Sequence, residues 1–146
     1  MNLWDLQVDV AMRLAGACEG KFELGPDKTI ASPGDRRALD IYQDEDRNGE
    51  PCVYVLIMSP DIDELNEFCH EAHDQLSKVQ GIVYYIERTM MEAIDDETWL
   101  AVRVRLEEVD PKAPKLQQLK VAFNGRLNQT LTIENFGPVQ TSNAVI

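Results

Sequence analysis

Three cysteines (Cys18, Cys52 and Cys69) in 146 residues are too few, and odd in number, for a disulfide framework. They form no CxxC pair, which excludes a zinc ribbon, and such sparse thiols suit a reducing compartment. Long apolar runs are missing as well. The longest, Cys52 to Met58, is too short to cross a bilayer. The opening Met1-Asn2-Leu3-Trp4-Asp5 lacks the basic region and apolar stretch of a signal peptide. These absences predict a protein that is neither secreted nor held in a membrane. P-loop, GxGxxG and GxSxG patterns are also lacking. Bases are scarce, 14 against 26 acids, for a net charge of −12. A body this acidic repels phosphate, which argues against tight nucleic-acid binding through a general basic surface.

What is present fits one ordinary domain: 44% hydrophobic residues are enough for a core. The charge is uneven. Residues 1–110 carry 25 acids and 10 bases, whereas residues 111–146 carry Lys112, Lys115, Lys120 and Arg126 against Glu134 alone. With Asp110-Pro-Lys-Ala-Pro114 as linker, the chain divides into a body (residues 1–110) and a basic C-terminal arm (residues 111–146).

Trp4, Val8, Ala11, Met12 and Ala15 recur at three- and four-residue spacing, predicting a helix over residues 3–17 with that face inward. Gly25-Pro26 and Pro33-Gly34 mark residues 20–36 as loop or short irregular strand. Residues 38–43 alternate as a half-buried strand, and the polar turn Asp44 to Gly49 ends in the hairpin signal Asn-Gly. Cys52 to Met58 is apolar on both faces, as in a central strand. Asp61 and Glu64 make a capping-box-like start to a helix running to Gln80. Its apolar row is Ile62, Leu65, Phe68, Cys69, Ala72, Leu76 and Val79. The opposite face carries Asp63, Glu64, Glu67, Glu71 and Asp74. Residues 82–91 read as a strand, Ala93 to Thr98 as an acidic turn, and Trp99 to Val109 as a strictly alternating strand with Leu100, Val102, Val104 and Leu106 inward. The order α-β-β-α-β-β predicts an α+β fold: a mainly antiparallel four-stranded sheet with two helices on one face, plus the extended arm.

Candidate chemistry has a plainer reading at each place. His70 and His73, three apart on the second helix, are a pair of metal-ligand types. They sit about 60° apart on the helix wheel with Cys69 turned inward, so a solvated helix face accounts for them. Asp44-x-Asp46-x-Asn48-Gly49 matches the first half of a calcium loop, but its twelfth position is Val55 rather than glutamate. A polar hairpin turn explains the same residues. Arg103 and Arg105, on one face of the last strand, could grip a phosphate or pair with acids across the sheet or across a subunit boundary. No pair of acids is singled out for general acid–base work. The reading is therefore no enzyme, no metal and no cofactor, with Glu67, Glu71, Asp74, Asp95, Asp96 and Glu97 as an acidic surface.

The element order, the size and the last strand, Trp99-Leu-Ala-Val-Arg-Val-Arg-Leu-Glu-Glu-Val109, make residues 1–109 resemble the tail terminator or tail-completion (neck) proteins of long-tailed bacteriophages. The resemblance implies a structural virion protein, assembled in the host cytoplasm. It would form a homo-oligomeric ring, such as a hexamer, that joins tail to head and touches neighbouring tail and neck proteins. DNA would pass through it without specific binding. The alternatives are another particle subunit (tail-tube, head-completion or baseplate) or a small acidic metal-binding module or hydrolase. The arm is expected to lie on a neighbouring subunit through Lys112, Lys115, Lys120, Phe123, Leu131, Ile133 and Phe136. Within it, Asn128 to Glu134 would add a strand to an exposed sheet edge.

Overall fold

Helix α1 (Leu3–Ala15) buries Leu6, Gln7, Val10, Ala11 and Leu14. This corrects the face expected from sequence. Ala11 is inward, but Trp4 and Met12 point to solvent at 39% and 66% exposure. The cause lies in what borders each apolar row. Beside Trp4, Val8 and Met12 stand Asp5 and Asp9, whose burial would be costly. The row Leu6, Val10 and Leu14 is bordered by Ala11 and by Gln7, whose amide finds partners inside. Its Nε2 donates to the Ile41 carbonyl (3.0 Å), and its Oε1 accepts from Gln43 Nε2 (3.0 Å). A satisfied amide can be buried where a carboxylate cannot.

The computed structural model describes residues 3–15, 21–24, 28–32, 36–79, 81–94, 96–108, 127 and 129–136. Six strands follow α1: β1 (Lys21–Leu24), β2 (Lys28–Ser32), β3 (Ala38–Glu45), β4 (Pro51–Ser59), then β5 (Ile82–Ile94) and β6 (Glu97–Glu108) after the second helix. They form one antiparallel sheet in the order β1-β2-β3-β4-β6-β5. The four strands expected from sequence are its main body, and the short β1–β2 hairpin extends it beyond β3. The α+β class holds, and so does the order α-β-β-α-β-β for the helices and these four main strands, with the β1–β2 hairpin inserted after α1.

Helix α2 (Ile62–Leu76) starts at Asp61, whose carboxylate accepts the Asp63 N–H. It stops before the expected Gln80, because Ser77 Oγ donates to the Asp74 carbonyl and the N–H groups of Lys78 and Val79 reach back only three residues. Gly81, at φ +78°, then turns the chain into β5.

The core lies between the helices and one sheet face. Leu65, Phe68, Ala72, Leu76 and Val79 of α2 and the turn after it share a single cluster with Leu39 and Ile41 of β3, Val53, Val55 and Ile57 of β4, and Leu100, Val102, Val104 and Leu106 of β6. The β5–β6 turn is tighter than the sequence suggested. Ala93 pairs with Thr98 and Ile94 with Glu97, and Asp96 takes φ +66°, the left-handed conformation that short aspartates tolerate in hairpins.

Part of the expected intersubunit arm belongs to this core. Leu127 is fully buried, Phe136 is 5% exposed, and Leu131 packs against the same cluster. Asn66 of α2 grips Leu131 on both backbone groups: its Nδ2 donates to the carbonyl (2.9 Å) and its Oδ1 accepts the N–H (2.8 Å). Thr89 of β5 donates to the Asn135 carbonyl. Ile133 and Glu134 lie in a single 3-10 turn, Ile133–Phe136, rather than a strand, and Ile133 is half exposed. Of the apolar arm residues expected to need a neighbour, Leu131 and Phe136 thus find cover on their own chain. Lys112, Lys115, Lys120, Phe123 and the body–arm boundary at residue 110 lie outside the described residues.

Candidate functional site

On the sheet face away from the helices, neighbouring strands align one row of side chains: Tyr42 of β3, Tyr54 of β4, Arg105 of β6 and Tyr85 of β5. Arg103 enters diagonally, two positions before Arg105 on the same face. Glu87, two residues after Tyr85, reaches this face by ordinary alternation, and a β-bulge between Ile86 and Arg88 brings Arg88 to it as well. Ile86 still pairs with Val104 on the core side, whereas Arg88 pairs with Arg103 on the outer side. The bulge re-aims the strand, as bulges do.

The two arginines sit among aromatic rings and carboxylates. Arg103 lies over Tyr54 (3.9 Å to the centroid) and beside Tyr42 (5.9 Å), and the two rings stack on each other at 5.8 Å. Its charge meets Asp44 (3.2 Å) and Glu87 (3.5 Å). Arg105 meets Glu107 (2.6 Å), Asp46 (2.9 Å) and Glu87 (3.7 Å), with Tyr85 at 5.9 Å. Tyr54 and Tyr85 donate their hydroxyls to Glu87 (3.4 Å) and Glu107 (3.3 Å). Burial alone would weaken protonation of Arg105, but Glu107 and the surrounding electron-rich groups carry its pKa upward. Burial also raises the tyrosines, Tyr85 to about 12. A polar cleft of about 550 Å³ opens beside this cluster, between Asp44–Arg47 of the β3–β4 turn, Tyr54, Glu87, Arg88 and Arg103.

Of the two readings of Arg103 and Arg105, the structure shows pairing with acids across the sheet. Four carboxylates face two guanidiniums, a setting unfavourable to a bound phosphate. The i, i+2 spacing of Tyr85 and Glu87 points both to one face, but the sequence does not give the register that sets Glu87 beside the arginines. The bulge itself leaves a phase slip in the apolar pattern of β5, from Ile82, Tyr84 and Ile86 to Thr89 and Met91.

The calcium-like turn is a hairpin. Asp46 Oδ1 accepts the N–H groups of Asn48 (2.8 Å) and Glu50 (2.9 Å) while its Oδ2 faces Arg105. Asp44 is shared between the Glu45 N–H and Arg103, and Gly49 takes φ +77°. On α2, His70 is exposed and His73 bonds through Nδ1 to the Tyr84 hydroxyl (2.7 Å). Cys69 is fully buried, which pushes its thiol up to about 12. Among the described residues, no group of three His, Cys, Asp or Glu side chains is placed to hold a metal. No helix among them is long and apolar enough to cross a membrane.

The expected acidic surface is partly neutralised within the chain. Arg37, just before β3, binds Glu64 and Glu71, approaches Glu67 (3.7 Å) and lies 5.0 Å over the Phe68 ring. Arg36 binds Glu97 (2.8 Å). Asp74 and Asp96 are exposed, and Asp95 lies outside the described residues. Comparison with known proteins found no matching family model, no matching curated protein and no matching solved structure.

Proposed function

We propose that this chain is a structural subunit of a phage particle, a tail terminator or neck-ring protein that joins tail to head and surrounds the DNA channel. The observation that carries the reading is the architecture: α1, the β3–β4 hairpin, α2 and the β5–β6 hairpin in the order α-β-β-α-β-β, with both helices on one side of an antiparallel sheet that the short β1–β2 hairpin extends. This is the arrangement that the resemblance to those proteins implies. The chemistry of the outer face supports it. The arginines and carboxylates there hold one another, which stiffens a sheet rather than poising a group to react. A net charge of −12 suits a channel lining that lets DNA pass without gripping it.

Electron microscopy and sedimentation of the purified protein test the reading. Rings with a central opening that bind the ends of isolated tails are expected. A chain that stays monomeric at every concentration and ignores tails would sink it.

A further inference from the structure

Strand β5 is the longest strand of the sheet and forms one of its edges, paired with β6 alone. Among the described residues, no backbone group outside β6 bonds to the backbone of β5. The 3-10 turn meets it through the Thr89 hydroxyl, on the core side. The far end of the β5–β6 ribbon also lacks support from β4. That strand pairs with β6 from Val53–Leu106 to Ser59–Leu100, so Glu92–Ile94 and Glu97–Trp99 project beyond it as two strands. Two strands alone are marginal, and a further strand laid along β5 steadies them.

The charges on β5 specify that strand. Past the bulge, Arg88, Met90 and Glu92 share the outer face, with Arg88 opposite Arg103 and Glu92 opposite Trp99. Among the described residues, neither Arg88 nor Glu92 has an ion-pair or hydrogen-bond partner. An antiparallel copy of β5 centred on Met90 sets Arg88 opposite Glu92 twice, once on each side of the centre. Centring on either charge instead sets Arg88 against Arg88 or Glu92 against Glu92, which is unfavourable. Charges on an edge strand discourage indiscriminate pairing, and this arrangement favours one register of one partner.

We propose that the β5 edge is an interface for β5 of a second copy of this chain, antiparallel about Met90, so that two sheets become one. The contact is isologous, about a two-fold axis. It goes beyond the ring-subunit reading, whose head-to-tail contacts use other surfaces.

Sedimentation of the full-length protein tests the charges. Arg88→Glu alone, or Glu92→Arg alone, sets like charges opposite each other and should weaken dimerisation about tenfold. The two single variants mixed together should pair as wild type does, because unlike charges face again. The double variant should also recover. Met90→Cys tests the register: oxidised, it should give covalent dimers, since directly opposed residues of an antiparallel pair lie within disulfide reach. Ile94→Cys should give none, because the contact sets it opposite Ile86. Dimerisation indifferent to both charge reversals, single variants that do not recover on mixing, or no link through Met90→Cys overturns the proposal. Rings that bind tails without that link overturn the β5 contact and leave the ring-subunit reading standing. A wild-type chain that is monomeric at every concentration overturns both.

Discussion

The guanidinium of Arg103 sits 3.9 Å from the centroid of Tyr54, and that ring is 1% exposed on a face that neither helix covers. One long side chain therefore seals an aromatic ring from water while Asp44 and Glu87 hold its charge. Arg103→Ala should uncover Tyr54, leave Asp44 without its cation and leave Glu87 to Arg105 alone, costing about 2 kcal/mol. Arg103→Lys keeps the charge without the planar fork and should restore less than half of the loss. Urea melts decide it. An alanine variant as stable as wild type would show that the cluster contributes nothing.

Phe68 and Leu76 are both fully buried where α2 meets the sheet. Truncating either to alanine leaves a cavity and should cost about 2–5 kcal/mol. Phe68→Ala also removes the ring under Arg37 and should be the more costly of the two. Neutral behaviour of both in denaturant melts would mean that the apolar row of α2 does not face the sheet.

How much of this was legible follows from where each signal lives. Helix α2 was readable because its row of Leu65, Phe68, Ala72 and Leu76 is apolar on one side only. Strand β6 was readable because its alternation never slips. Helix α1 misled because it has two apolar rows, and the choice between them depends on Gln7 finding partners in Ile41 and Gln43, distant in sequence. The pairing of Arg103 and Arg105 with acids was one of two open readings, but the register that brings Glu87 beside them was not legible. Docking of Leu127 and Phe136 was invisible, since an apolar segment without strong periodicity does not say which surface it will cover.

Asn66 acts on Leu131 as a strand would, giving a donor to its carbonyl and an acceptor to its N–H. Asn66→Asp keeps the acceptor but turns the donor into a second oxygen facing a carbonyl. It should loosen residues 129–136 at a cost of about 1–2 kcal/mol. Asn66→Ala loses both bonds without the repulsion and should fall between wild type and the aspartate variant. Hydrogen exchange at the Leu131 amide measures this directly. Unchanged protection in the aspartate variant would show that the bonds do not hold the segment.

Alkaline pH should weaken the fold through the tyrosines of the outer face. Burial raises the Tyr85 phenol from its ordinary 10.0 to about 12, with the negative charge of Glu107 adding to the effect and Arg105 opposing it. The folded chain thus keeps a proton that the unfolded chain has already lost. Between about pH 10 and pH 12, unfolding releases that proton, so stability falls as pH rises. The contribution is complete below pH 10 and is lost as pH passes through the folded value. Tyr54 and Tyr42 are also raised, chiefly by burial, and steepen the loss in the same direction. Denaturant melts across this window, followed alongside tyrosinate absorbance, should show stability falling as pH rises. Tyr85→Phe removes the ionisable group while Glu107 keeps Arg105 at 2.6 Å, so the slope should flatten without loss of the cluster. A phenylalanine variant with the wild-type slope would place the alkaline sensitivity elsewhere.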